Sequence, residues 1–155
     1  MGSKGSTVRQ LQRHLGLRFE EFEMADVMSV RIDGVLGTET LTAVKYWQCV
    51  GGLPVTGRVD EATWRFVTQG VEGLPMLSLG VRRTCVRAVQ KAVLESGISV
   101  PMDGVFGLQT VAAVKAYQEA MGLNASGVVG ADTWTEIVRS RLTTLPCAAL
   151  LPRLY

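Results

Sequence analysis

Apolar positions recur at helical spacing in three short stretches of the chain, and the same three stretches come round twice. Val8, Leu11 and Leu15 form one stripe, and Val86, Val89 and Val93 form its later counterpart. Ser6 and Thr84 are residue types that cap helix N-termini, so a first helix is expected to open at each of them. The segments Thr38 to Val50 and Leu108 to Met121 place Leu41, Val44 and Trp47, or Val111, Val114 and Tyr117, on one face, and a glycine follows each segment. The spacing predicts a second helix there. A short third helix is expected after Gly57 or Gly127, opened in the first copy by Asp60 as N-cap, with Trp64 and Val67, or Trp134 and Ile137, turned inward.

The two sets are related by direct duplication. A shift of 70 positions lays Asp33 to Val67 on Asp103 to Ile137 without a gap and matches 15 of 35 residues. The matches include Asp33-Gly34-Val35, Gly37, Thr40, Ala43-Val44-Lys45, Gln48 and Thr63-Trp64, opposite Asp103-Gly104-Val105, Gly107, Thr110, Ala113-Val114-Lys115, Gln118 and Thr133-Trp134. Upstream the shift becomes 78, placing Val8, Arg9 and Gln12 on Val86, Arg87 and Gln90. Gln12 to Asp33 spans 21 positions and Gln90 to Asp103 only 13, so the first copy carries eight extra residues, in a stretch holding Phe19, Phe22, Met24 and the acids Glu20, Glu21, Glu23 and Asp26.

The expected fold is therefore all-α, as two tandem three-helix bundles: a first repeat over 1–70, a connector over 71–79, a second repeat over 80–142 and an apolar tail over 143–155. The stretch from Gly70 to Gly80 contains one proline and three glycines but is too apolar for a loose tether, so the copies are expected to pack together. The tail begins with Leu145-Pro146-Cys147, echoing Leu74-Pro75-Met76, and needs a surface to bury it, on its own chain or on a protein partner.

Composition narrows the function. Sixteen Lys and Arg against fourteen Asp and Glu, spread along 155 residues, argue against nucleic acid as the main partner. The basic group Arg82, Arg83, Arg87 and Lys91 lacks interleaved aromatics and reads as a solvated helix face. No apolar stretch approaches the roughly 20 residues that span a bilayer, so no membrane insertion is expected. The first six residues have no apolar core of a secretory signal, implying that a signal was removed or never present. Cys49, Cys85 and Cys147 show no metal-binding spacing, and with His14 as the one histidine neither a metal nor a cofactor is expected. Three buried or half-buried thiols are the favoured reading, with one disulfide plus a free thiol as the alternative.

Repeat two contains Asp103-Gly104-Val105-Phe106-Gly107, Thr110, Ala113-Val114-Lys115-Ala116-Tyr117-Gln118, Gly122-Leu123, Gly127 and Thr133-Trp134. This string resembles the peptidoglycan-binding domain family, small three-helix modules of cell-wall hydrolases and related proteins. Repeat one departs from it in having Leu36 where the family carries Phe, Trp47 before Gln48, and the longer acidic connection.

The resemblance implies non-catalytic binding of peptidoglycan, through its peptide stem or glycan, in a shallow groove beside the second helix. The implied ligand-binding residues are Asp33, Gly34, Gly37, Thr40 and Gln48 in the first copy, and Asp103, Gly104, Phe106, Gly107, Thr110 and Gln118 in the second. Free N–H groups where the second helix begins could hold a stem carboxylate, Gln48 or Gln118 could add an amide contact, and an exposed aromatic could lie on a sugar. Against this stands a scaffold reading. The glycines serve turn geometry, the aspartates bond turn N–H groups, and the aromatics Trp47, Trp64, Phe106, Tyr117 and Trp134 are core. Gln12, Gln48, Gln90 and Gln118 each interrupt a buried stripe and must find polar partners.

Catalysis is disfavoured, because the acids near Glu20 read as a wet face and no cysteine has a positioned histidine. The wall or another extracytoplasmic site is the expected location. Two alternatives remain at this point: a subunit of a phage or contractile-injection particle, assembled in a cytoplasm with the modules as packing units, and a wall-binding fragment of a secreted hydrolase.

Overall fold

A computed structural model describes residues 4–144 and 147–151. Among them are six α-helices: α1 Ser6–Glu21, α2 Thr38–Val50, α3 Glu61–Gln69, α4 Thr84–Glu95, α5 Leu108–Ala120 and α6 Ala131–Arg141. Short 3₁₀ turns follow α3 at Gly70–Gly73 and α6 beyond it at Ala148–Leu150. The fold is all-α and falls into two tandem three-helix parts. The expected second and third helices are present in both copies, and Asp60 caps α3 by accepting from the Thr63 N–H at 2.8 Å.

The first helices start differently from expectation. Ser6 and Thr84 are the first residues inside α1 and α4, and the cap positions belong to Gly5 and Arg83, which make no side-chain cap bond. The reason is tertiary. The residues just ahead pair antiparallel with the Asp-Gly turn, Lys4 with Val35 and Arg82 with Val105, and Gly5 donates to the Gly34 carbonyl at 3.1 Å. The extended backbone of that pairing ends where the helix begins.

The eight extra residues of the first copy lengthen α1 and build a loop after it. Phe19 reaches the core and packs on Tyr46 and Trp47, with ring centroids 5.6 and 5.1 Å apart. Phe66 closes the cluster on the other side of Trp47. Met24 and Met28 of the loop are buried, whereas Glu20, Glu21, Glu23 and Asp26 stay exposed, as an acidic wet face should. Trp134 is fully buried and Trp64 only half-buried, so the inward expectation holds for the second tryptophan and weakens for the first.

The two copies share one continuous core, and polar bonds cross between them. Leu77 of the connector exchanges backbone hydrogen bonds with Val129, at 3.1 and 2.8 Å, while the Trp134 indole N–H donates to the Pro75 carbonyl at 2.8 Å. Arg141, at the end of α6, is buried and donates from Nε to Val50 O and from Nη2 to Cys49 O, at 3.0 and 2.7 Å. It thereby supplies a donor to Val50 O at the C-terminus of α2 and a further donor to Cys49 O, which also accepts the Gly52 N–H.

The expectation of three thiols is corrected. Cys49 and Cys147 form a disulfide across 98 positions, and Cys85 alone is free and buried. The bond fastens the segment after α6 to the end of α2, so the tail folds back onto its own chain at 147–151. The remainder of the tail expected at 143–155, namely 145–146 and 152–155, lies outside the described residues, as do 1–3.

Candidate functional site

Each Asp-Gly turn is built around a buried glutamine. Gln12 Nε2 donates to Asp33 Oδ1, Val35 O and Thr40 Oγ1 at 2.9, 3.1 and 3.1 Å, and its Oε1 accepts the Gly34 N–H at 2.8 Å. Gln90 repeats the set with Asp103, Val105, Thr110 and Gly104 at 2.9, 3.1, 3.1 and 2.9 Å. The same Asp oxygen also accepts the N–H two residues on, from Val35 or Val105. Gly34 and Gly104 adopt φ of 75° and 74°, and the side chains of Arg9 and Arg87 lie where a Cβ would project. Only glycine fits that conformation without strain.

These bonds determine the charge state of the turn. Asp33 and Asp103 are exposed, and their carboxyls sit below the usual carboxylate range, held there first by the glutamine amide and then by the backbone N–H.

A second glutamine staples the turn before each third helix. Gln48 donates to Arg58 O and Thr63 Oγ1 and accepts from the N–H groups of Thr56 and Gly57. Gln118 does the same with Val128 O, Thr133 Oγ1 and the Gly127 N–H. Both are buried with their polar atoms committed inside the protein. Thr40, Thr110 and Phe106 are buried as well. Of the expected ligand contacts, Gln48, Gln118, Thr40, Thr110 and Phe106 are thus buried, and the two glutamines bond within their own turns.

Asp33 and Asp103 remain exposed, with Gly37, Gly104 and Gly107 half-buried and Gly34 buried beside them. Gly37 and Gly107 precede α2 and α5 in extended backbone, without a side-chain cap, and the space where a Cβ would stand is empty at both. The two helix starts differ in charge. The first turn of α2 carries Glu39, which accepts the Arg31 N–H at 2.6 Å, whereas the first turn of α5 has no acidic residue. A carboxylate from outside meets an acid within the first turn of α2 and none within the first turn of α5.

A cleft that no local sequence pattern marks opens where the copies meet. About 500 Å³ in volume, it is walled by Asp60, Glu61 and Arg65 of the first copy and by Arg83, Thr84 and Cys85 of the second, with Gly52, Pro54, Gly73 and Pro75 between. Asp60 lines it while capping α3, and Arg83 lines it from the exposed basic group. That basic group is in fact divided: Arg87 lies along Gly104, Lys91 pairs with Glu95 at 3.7 Å, and Arg83 faces the cleft. No group of His, Cys, Asp and Glu suited to a metal ion occurs among the described residues, and no described helix is long and apolar enough to cross a membrane.

Comparison with known proteins places both copies. The family model described as "Putative peptidoglycan binding domain" matches residues 4–67 and 82–137. The chain is 24% identical over 140 residues to "Uncharacterized protein FadG" of Bacillus subtilis (strain 168), covering 86% of the chain and 23% of that protein. It is 37% identical over 65 residues to "Uncharacterized protein in bpoA1 3'region" of Kitasatospora aureofaciens, covering 41% of the chain and 55% of that protein. The chain thus spans less than two thirds of either relative. No solved structure matches.

Proposed function

The chain belongs to the peptidoglycan binding domain family, and from that premise we propose that it is a non-catalytic module that attaches a longer protein or assembly to bacterial cell-wall peptidoglycan. The observation that carries this reading is the family match over both copies together with their covalent union. The disulfide, the Arg141 bonds and the shared core hold two wall-binding units in one fixed arrangement. Two weak sites so joined gain avidity on a polymer that repeats its own chemistry.

The exposed turn ends at Asp33 to Gly37 and Asp103 to Gly107 are the surfaces offered by each copy. The second is the better acceptor for a stem carboxylate, since α5 begins without a competing acid. The disulfide suits an oxidising compartment and so favours an extracytoplasmic location over folding in a cytoplasm as a particle subunit. Because the chain covers only part of its relatives, the catalytic or anchoring partner belongs to the longer protein in this reading.

The test is incubation of the purified chain with insoluble sacculi, followed by centrifugation and assay of the supernatant. Pelleting of the protein without release of soluble muropeptides supports the reading. Clearing of the suspension would make the chain a hydrolase and overturn it.

A further inference from the structure

The cleft between the copies is a second place where ligand chemistry converges, and neither copy could form it alone. Its walls bring two cations, Arg65 and Arg83, and two anions, Asp60 and Glu61, around one space of about 500 Å³. That size lies within the range of small-molecule sites. Arg65, Arg83 and Glu61 are exposed, and none of them enters an ion pair among the described residues. Asp60 accepts hydrogen bonds from the Thr63 backbone N–H and side chain, which keep its carboxyl ionised at the edge of the space.

The balance of charge selects the ligand. Two positive and two negative groups make a lining of net zero charge, which gives a polyanion no advantage but suits a molecule bearing both signs. Guanidinium forks bind carboxylates in two-point geometry, and a carboxylate receives an ammonium group. The floor is chemically quiet: burial pushes the Cys85 thiol up, so it stays protonated and is no nucleophile. Prolines and glycines complete a stiff wall without competing charge.

We propose that this cleft binds the zwitterionic end of a peptidoglycan stem peptide, an amino-acid unit with a free carboxylate beside an amino group. Arg65 and Arg83 take the carboxylate, and Glu61 takes the amine, with the Asp60 charge beside it. The inference rests on the wall-binding reading and adds a site that belongs to the joined pair of copies.

The experiment is calorimetric titration of the full oxidised chain with a purified disaccharide-peptide muropeptide, with the same muropeptide amidated at its carboxylates, and with its amines acetylated. Arg65→Ala combined with Arg83→Ala, and separately Glu61→Gln, are compared with the intact chain. All three residues are exposed, so unchanged thermal unfolding is expected and is checked alongside. The double arginine variant is expected to lose at least about tenfold in affinity and to stop distinguishing the amidated ligand from the free one. Glu61→Gln is expected to lose the preference for the free amine. If the variants bind the muropeptide as the intact chain does while all of them pellet with sacculi, the cleft assignment is overturned and wall binding stands. If the intact chain itself fails to pellet with sacculi, wall binding falls and takes the cleft assignment with it.

Discussion

Arg141 donates to the carbonyl of Cys49 at 2.7 Å, so the last helix of the second copy closes the open end of a helix in the first. A second bond to Val50 O, and the disulfide from Cys49 to Cys147, put three links at one helix terminus. Burial works against the guanidinium charge and draws its pKa down, with the Glu95 carboxylate acting in the opposite sense. Arg141→Met keeps much of the volume but leaves Val50 O without its donor and Cys49 O with the Gly52 N–H alone. It should cost about 3 kcal/mol, read as a lower midpoint in urea. An unchanged midpoint would mean that water replaces the guanidinium there.

The disulfide closes a loop of 98 positions, and in the chain-entropy view long loops gain most. Reduction, or Cys147→Ala with Cys49→Ala, should lower stability by about 3–4 kcal/mol. Cys85 should react with a maleimide only after unfolding, because it is buried at the junction of the copies. Denaturation with and without reductant, followed by thiol counting, measures both.

The turn aspartates set an acid limit on the fold. Their folded pKa values lie below the ordinary aspartate value of 3.8, so their contribution is full above about pH 4 and is lost as pH falls through the lower folded value. Stability should therefore decline below about pH 4, and Asp33→Asn with Asp103→Asn should flatten that decline. Gln90→Glu should steepen the sensitivity in the other direction, since it sets a second carboxylate against Asp103 in place of a donor. Chemical unfolding between pH 2 and pH 6 separates these cases.

Gly52 tests how closely the copies are packed. It holds φ of 67°, and a Cβ there would lie 2.5 Å from the Ala88 Cβ and 3.2 Å from the Cys85 backbone. Gly52→Ala should cost about 2 kcal/mol or more, through strain and a forced shift at the interface. Gly107→Ala, where nothing stands within 4 Å and φ is negative, should be close to neutral. Equal costs at the two sites would show that the copies are not pressed together at Gly52.

The periodic features were the legible ones. A stripe at Leu41, Val44 and Trp47 can only be a helix face, and a repeated Gln12 or Gln90 inside such a stripe announces a buried polar partner before the partner is known. The helix starts were not legible at Ser6 and Thr84, because the competing claim on their backbone comes from residues 29 to 21 positions away at Val35 and Val105. Similarity of sequence also could not separate ligand contact from scaffold at Gln48 and Gln118, since both uses keep the same residue at the same place. Their bonds to the next turn give each a structural role that a sequence match alone does not reveal. The Cys49–Cys147 bond and the cleft of Arg65 and Arg83 depend on how one copy docks on the other, and no local pattern encodes that.

Wall adhesion itself is tested most directly by an equilibrium binding isotherm of the intact, oxidised chain on purified insoluble sacculi, run beside chitin as a glycan without peptide stems. Saturable retention on sacculi, with little on chitin, is the expected result. Equal retention on both, or none on sacculi, would contradict the claim that these two joined copies hold the chain to peptidoglycan.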